Sequence, residues 1–295
     1  MALPLHELAA LGTATCWAMT GLFAADAVRS LGPFHFNLIR QLFVTALLAV
    51  IVLLGAAGLP GGHAALVLAV SGIIGILIGD TFNFAAVARL GPRRAGAVFA
   101  LNAPMAAIMG WAFLHEALPQ LAVIGILLTA GGVALAILGR PRGDAHRLET
   151  LQGTLIIGVL CGLGAAFGQA AGSLIARPVM TAGIDPYMAS LLRVGASGLA
   201  MGLLAATPLA PPKPIYTRKA LILTAGTAII GLLIGMTLFL YALKGSQTGI
   251  IATLSATSPV IILPLLWLRT GQRPSALSWS GAALAVLGLG LIFSR

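Results

Sequence analysis

The chain has 295 residues, 59% of them hydrophobic and 8% charged, with a mean hydropathy of +1.04. A soluble domain of this length could not cover its surface with so few polar residues, so a bilayer is the expected solvent. The net charge of +10 does not signal a nucleic-acid partner, because the basic residues stand singly or in small groups between apolar runs, as loop charges do in membrane proteins.

At about 20 apolar residues per bilayer crossing, ten stretches read as spans: 8–28, 34–56, 64–89, 93–114, 119–139, 152–176, 184–207, 217–243, 247–268 and 276–294. Gly32-Pro33, Pro60-Gly61, Gly91-Pro92, Pro119, Pro178, Pro186, Pro211-Pro212 and Pro274 punctuate them. The N-terminus lacks a basic region before its first apolar run, so no cleavable signal peptide is expected. Cys16 and Cys161 lie in apolar stretches without metal-type spacing and read as buried small hydrophobes.

Positive charge sorts by side. Alternate loops hold Arg29, Arg89, Arg93, Arg94, Arg140, Arg142, Arg147, Lys213, Arg218, Lys219, Arg269 and Arg273; the opposite side holds Arg177, Lys244 and Arg295. Twelve against three predicts that the first group is cytoplasmic and both termini are outside.

The chain also repeats. Residues 73–81 read IIGILIGDT and residues 229–237 read IIGLLIGMT, identical at seven of nine positions, with Asp80 facing Met236. Pro33 to Arg40 has the spacing of Pro186 to Arg193; Asn102-Ala103-Pro104 matches Thr257-Ser258-Pro259; Pro119 matches Pro274, and Gly132 matches Gly288. Five spans is an odd number, so the second half must be inserted upside down. The fold class predicted is an all-α integral membrane protein of ten transmembrane helices, as two inverted five-helix repeats over 1–140 and 152–295, joined by a polar linker at 141–151.

Two five-helix halves, a small-residue third helix, a mid-helix Pro in the fourth, and Leu114-His115-Glu116 at its end resemble the EamA family of the drug/metabolite transporter superfamily. The resemblance covers nearly the whole chain. It implies transport of a small metabolite, and the chain is compatible with the YddG-type exporters of aromatic and other apolar amino acids. One departure stands out: where the first half has Glu116, the second has Arg269-Thr270-Gly271-Gln272-Arg273, so a role for that Glu in closing the site cannot be symmetric.

Asp80 is the one acid well inside a span, where an ionised carboxylate is costly unless paired or wet. Depth along the helices makes an Arg40–Asp80 pair feasible, leaving a structural or gating salt bridge, proton coupling or contact with a cargo ammonium, and a plain polar contact as readings. Arg193 repeats Arg40 in the other half; both either snorkel to the interface or act as pseudo-symmetric gates. Pro104 and Pro259 remove backbone donors mid-helix, giving kinks that nearby side chains satisfy or that line a midplane cavity. Trp17, Asn83, Phe84, Asn102, Gln169, Tyr241 and Ser255 are the candidate pocket residues, each with core packing as its rival reading. Trp111, Trp267 and Trp279 lie near span ends as interface anchors. The glycine pairs Gly75/Gly79 and Gly231/Gly235, and the series Gly164, Gly168 and Gly172, read mainly as close helix packing.

The expected function is secondary transport by alternating access around a central cavity, with export of amino acids foremost and another small metabolite or drug as the alternative. The expected setting is multi-pass in a bacterial inner membrane, with small-molecule cargo and lipid as partners and a functional monomer. No cofactor or metal is expected. A phosphate-cradling Gly-Lys-Ser/Thr loop is absent from the sequence, which disfavours ATP-driven transport by this chain alone. His6, His35, His63, His115 and His146 sit at span ends or in loops without nucleophile or metal-site spacing, so an intramembrane enzyme is a minor rival. A channel is another, and would require a continuous polar stripe.

Overall fold

The computed structural model describes residues 5–55, 58–117, 119–138, 153–271, 273 and 275–293. The expected linker at 141–151, His146, Pro274 and Arg295 lie outside the described residues, as do Arg140, Arg142 and Arg147. Every described element is a helix. Among the described residues, seven helices are long and apolar enough to cross a membrane, with two shorter apolar helices, Gln120–Gly132 and Ala276–Gly288, beside them.

Helix α1 (Leu5–Leu54) is interrupted at Gly32, whose φ of 74° and ψ of 155° lie in a region that only glycine occupies cheaply. Pro33 follows and cannot donate to the preceding turn. The two limbs, 5–31 and 33–54, meet at one place on the chain: a Cβ on Gly231 would lie 2.5 Å from Thr20 Oγ1 and 2.9 Å from Arg40 Nη2. A straight rod of 50 residues, at 1.5 Å per residue, would instead be about 75 Å long.

Helix α2 (Gly62–Leu90) contains π-helical turns over Ile73–Asp80. Gly91, with φ 81° and ψ 162°, turns the chain into α3 (Pro92–Phe99), followed by α4 (Asn102–Leu114) and α5 (Gln120–Leu138). Then come α6 (Leu155–Thr181) and α7 (Pro186–Ala205), the latter capped by Asp185, whose carboxylate accepts from the Tyr187 and Met188 amides at 2.9 and 3.0 Å. Helix α8 (Arg218–Gly245) is π-helical over Ala228–Gly235. Last are α9 (Thr248–Ser255), α10 (Ser258–Thr270) and α11 (Ala276–Phe293).

The two π-helical segments cover the repeated phrase in each half of the chain, apart from its last residues. Widened turns misalign the backbone ladder and offer carbonyls to other partners. The Ile76 carbonyl accepts from Asn37 Nδ2 at 3.3 Å, the Gly231 carbonyl from Trp17 Nε1 at 3.3 Å, and the Gly235 carbonyl from Thr13 Oγ1 at 3.2 Å. Each segment is therefore pinned by side chains from α1.

Small residues set the helix spacing. A Cβ at Gly168 would lie 2.9 Å from Gly79 Cα, and one at Gly172 2.8 Å from Gly75 Cα, so α6 meets the π segment of α2 backbone to backbone. Helices α5 and α11 touch in the same way: a Cβ at Gly132 would come 2.6 Å from the Gly281 carbonyl oxygen, and one at Gly288 2.6 Å from that of Gly125. The outer surface is apolar, with Leu53, Ile108, Phe113, Leu127, Leu160 and Leu203 each more than half exposed, as lipid contact requires.

The mid-span breaks fall just before the prolines. Ala100 and Leu101 separate α3 from α4, and Ala256 and Thr257 separate α9 from α10. The carbonyls at these breaks are met locally: Asn102 Nδ2 donates to the Phe99 carbonyl at 2.7 Å, Thr257 Oγ1 to Leu254 at 2.6 Å, and Ser258 Oγ to Ser255 at 2.8 Å.

Candidate functional site

A cavity lies at the meeting of α1, α2, α3, α6, α8 and the α9–α10 break. The first limb of α1 contributes Trp17, Thr20 and Gly21, and its second limb contributes Arg40. Asp80, Asn83 and Phe84 enter from α2, spaced so that they share a helix face. Phe99, Gln169, Met236 and Ser258 close the remaining sides. The cavity volume is about 70 Å³, room for about five to seven waters at 10–15 Å³ each.

Its polar centre is Arg40, only 2% exposed. Nη1 lies 3.7 Å from Asp80 Oδ2, and Nη2 donates to the Thr227 carbonyl at 3.4 Å. The guanidinium rests 4.7 Å from the Phe84 ring centre and 5.4 Å from that of Phe36, where the ring faces attract a cation. Arg193, fully buried, stands at the matching place in the second half. Its Nη1 donates to the Gly172 carbonyl at 3.5 Å, and a Cβ on Gly75 would come 3.0 Å from its Nη2. The arrangement is reciprocal: a Cβ on Gly231 would lie 2.9 Å from Arg40 Nη2. Each arginine thus reaches the π segment of the other half. Asp80 faces Arg40, while Met236, 2% exposed, occupies the matching position in the second half.

Of the residues singled out in the sequence, Trp17, Arg40, Asp80, Asn83, Phe84 and Gln169 come together in this cavity. Asn102 and Ser255 are buried at the two helix breaks, 1% exposed, beside the cavity rather than in its lining. Tyr241 lies elsewhere, its ring stacked on His6 at 4.8 Å between centres. Pro104 lines a separate apolar groove between α4 and α5, with Ile108, Trp111 and Leu127. Pro259 stands in the first turn of α10, and its side chain is outside the described residues. Thr20, Phe99 and Met236 line the cavity without having been singled out as pocket residues; a hydroxyl, a ring and a thioether in apolar runs carry no signal that separates lining from packing.

A second polar cluster sits at the opposite end of α4. His115 ends that helix in the left-handed conformation, φ 52°, and delivers Glu116 to the N-terminus of α9. The carboxylate accepts from the Thr248 amide at 2.9 and 3.1 Å and from Thr248 Oγ1 at 2.8 Å. Arg177 Nε faces it at 3.4 Å, and Arg177 Nη1 donates to the Leu243 carbonyl. A carboxylate at a helix N-terminus meets free amides and the positive end of the helix dipole. The corresponding end of α10 has Gly271 in the same left-handed region, φ 70°, where the second-half sequence has no acid.

A solved crystal structure 20% identical in sequence aligns with 98% of this chain and 98% of its own, with a TM-score of 0.76, a likeness of fold. The search of curated proteins gave no match. The EamA-like transporter family matches residues 5–138 and again 156–294, so the chain carries the family unit twice and belongs to the EamA-like transporter family of membrane proteins.

Proposed function

We propose that this chain is a ten-span secondary transporter of two inverted five-helix repeats, which moves small metabolites, amino acids foremost, through the Arg40–Asp80 cavity by alternating access. The observation that carries the reading is that cavity: a buried ion pair walled by Trp17, Phe84 and Phe99 and by the amides of Asn83 and Gln169. Apolar walls with a few convergent polar groups suit an amphipathic solute, and an ionisable pair within a span is the mark of a pathway. The paired π segments, paired helix breaks and paired arginines support the inverted repeat.

In this reading the cavity opens toward the end bearing Arg29, Arg89 and Arg94, which the charge bias places in the cytoplasm with both termini outside. The Glu116–Thr248–Arg177 cluster closes the outer end. Opening it on the other stroke requires α4 and α9 to part there, while the close glycine contacts of α2 with α6 let the bundles slide. Export of aromatic and other apolar amino acids across a bacterial inner membrane, by a monomer, is the leading assignment; another small metabolite is the rival. The test is counterflow in proteoliposomes loaded with unlabelled amino acid, following entry of labelled Thr, Met and Phe. Saturable entry that Asp80→Asn abolishes supports the assignment. Entry no faster than in empty liposomes, with folded protein confirmed, refutes it.

A further inference from the structure

We propose that the cavity contains an oxyanion subsite formed by Arg40, Thr20 and Gln169, so that the cargo is held by a carboxylate. The proposal rests on the reading above that this cavity is the cargo site, and it names the head group that the site recognises. Three donor-bearing side chains from three helical segments are among those lining the cavity: Thr20 from the first limb of α1, Arg40 from the second, and Gln169 from α6. Thr20 Oγ1 and Arg40 Nη2 both lie within 2.9 Å of where a Cβ on Gly231 would stand. Thr20, Arg40 and Gln169 are 6%, 2% and 2% exposed. Thr20 Oγ1, Arg40 Nε and Nη1, and Gln169 Nε2 have no hydrogen-bond partner among the described residues. Arg40 Nη1 is 3.7 Å from Asp80 Oδ2, beyond hydrogen-bonding distance. Buried donors left unmet are costly, and an acceptor with several lone pairs removes that cost at one stroke.

Charge points the same way. Arg40 and Arg193 are both buried; Arg40 faces the carboxylate of Asp80 at 3.7 Å, Arg193 donates to the Gly172 carbonyl, and Met236 stands where a second acid would be. The group formed by these three ions carries one positive charge in excess, in a low-dielectric setting where an uncompensated charge is strongly disfavoured. An oxyanion restores neutrality; a cation adds to the excess. A zwitterion can set its ammonium toward Asp80, but that carboxylate already faces Arg40, so the ammonium contributes less than the carboxylate.

The test separates the two ends of an aromatic amino acid. Thermal unfolding of the purified protein in detergent is followed at pH 7 with 3-phenylpropionate, which keeps only the carboxylate, and with phenethylamine, which keeps only the ammonium. A ligand at free concentration L that binds the folded state stabilises it by RT ln(1 + L/Kd) and so raises the unfolding temperature. The expected result is stabilisation by 3-phenylpropionate and none by phenethylamine. Thr20→Val and Gln169→Leu each weaken carboxylate binding about tenfold, the scale of one hydrogen bond to a charged group, with the ligand-free unfolding temperature not lowered, since each removes an unmet buried donor. Arg40→Gln removes the response, and the two milder variants keep the proposal testable where that protein does not fold. Stabilisation by phenethylamine alone, by neither compound, or equally in the Thr20 and Gln169 variants overturns the subsite. Counterflow keeps the proposals apart. Carboxylate binding without amino-acid counterflow refutes the amino-acid cargo and leaves the subsite standing. Counterflow inhibited by phenethylamine rather than by 3-phenylpropionate does the reverse.

Discussion

Replacing Glu116 by Ala removes every contact that the carboxylate makes between the two halves. Both oxygens accept from the Thr248 amide, one also accepts from the Thr248 hydroxyl, and Arg177 Nε stands 3.4 Å away. Loss of an N-cap costs about 1 kcal/mol, and a hydrogen bond to a charged partner about 1.5–3 kcal/mol. Water meets the same groups once the end opens, so the closed state loses about 2–3 kcal/mol relative to the open one. At 1.4 kcal/mol per decade, the open fraction rises about 30- to 150-fold. Ala107, 5% exposed, lies behind Glu116 in a small recess also lined by Ile250. With Cys16 and Cys161 replaced, a cysteine at position 107 reports opening through its rate of modification by a membrane-impermeant thiol reagent added from the Glu116 side. Glu116→Ala should raise that rate by the factor above, and Thr248→Val, which deletes one bond, should raise it less. A rate unchanged by Glu116→Ala, in protein that unfolds at the normal temperature, would refute the latch.

Four further outcomes are expected. Asp80→Asn leaves Arg40 buried without its carboxylate, a loss on the scale of about 3–5 kcal/mol for one partner of a buried pair, seen as a lower unfolding temperature and lost counterflow. Met236→Asp places a second carboxylate in the lining of the Arg40 cavity and cancels the excess charge: the ligand-free protein should unfold at a higher temperature while binding 3-phenylpropionate about tenfold more weakly. Gly168→Leu must displace the Gly79 backbone, since even its Cβ would stand 2.9 Å from Gly79 Cα; destabilisation of at least about 2 kcal/mol is expected, against no change for Gly131→Leu, which has nothing within 4 Å. Gly32→Ala meets no atom within 4 Å but forces a side chain onto φ 74°, at about 1–3 kcal/mol, again read by thermal unfolding.

Much of the frame was legible because it is written in punctuation. Gly32-Pro33 and Gly91-Pro92 mark turns where backbone geometry itself demands glycine, and Asn102 and Ser258 stand beside the breaks whose carbonyls they meet. The π turns were not legible. The phrase around Gly75 and Gly231 reads as ordinary apolar helix, and its widened geometry is pinned by Asn37, Trp17 and Thr13, distant in sequence. Tyr241 looked like a pocket residue, yet five residues beyond Met236 is about 7.5 Å further along the helix, out of the cavity and against His6. Arg177 is 61 residues from Glu116 and sits on a different helix. No local pattern couples two charges across such a distance; only the packing of α4 against α6 does.

In the proposed transport cycle the repeat supplies a scaffold with two nearly equivalent ends, and the departures from it are the features that would set which end is shut. Helices α4 and α10 finish in the same left-handed turn, at His115 and Gly271, so the backbone is prepared alike at both ends. Glu116 rides on the first turn and finds the α9 N-terminus; the second-half sequence supplies no acid at its counterpart, and the N-terminus of α3 has no side-chain cap. Asp80 and Met236 repeat the lesson at the centre, where one arginine has a carboxylate at 3.7 Å and the other has a carbonyl at 3.5 Å. Symmetric packing makes the two orientations of a transporter similar in energy, and a bias of a few kcal/mol then suffices to set the resting one. In the proposed cycle Glu116, Asp80 and Met236 are the positions that would carry that bias. Two of them adjoin the close glycine contacts: Asp80 follows Gly79 and Met236 follows Gly235, so a substitution that shifts the bias has to preserve the backbone approach on which the halves move.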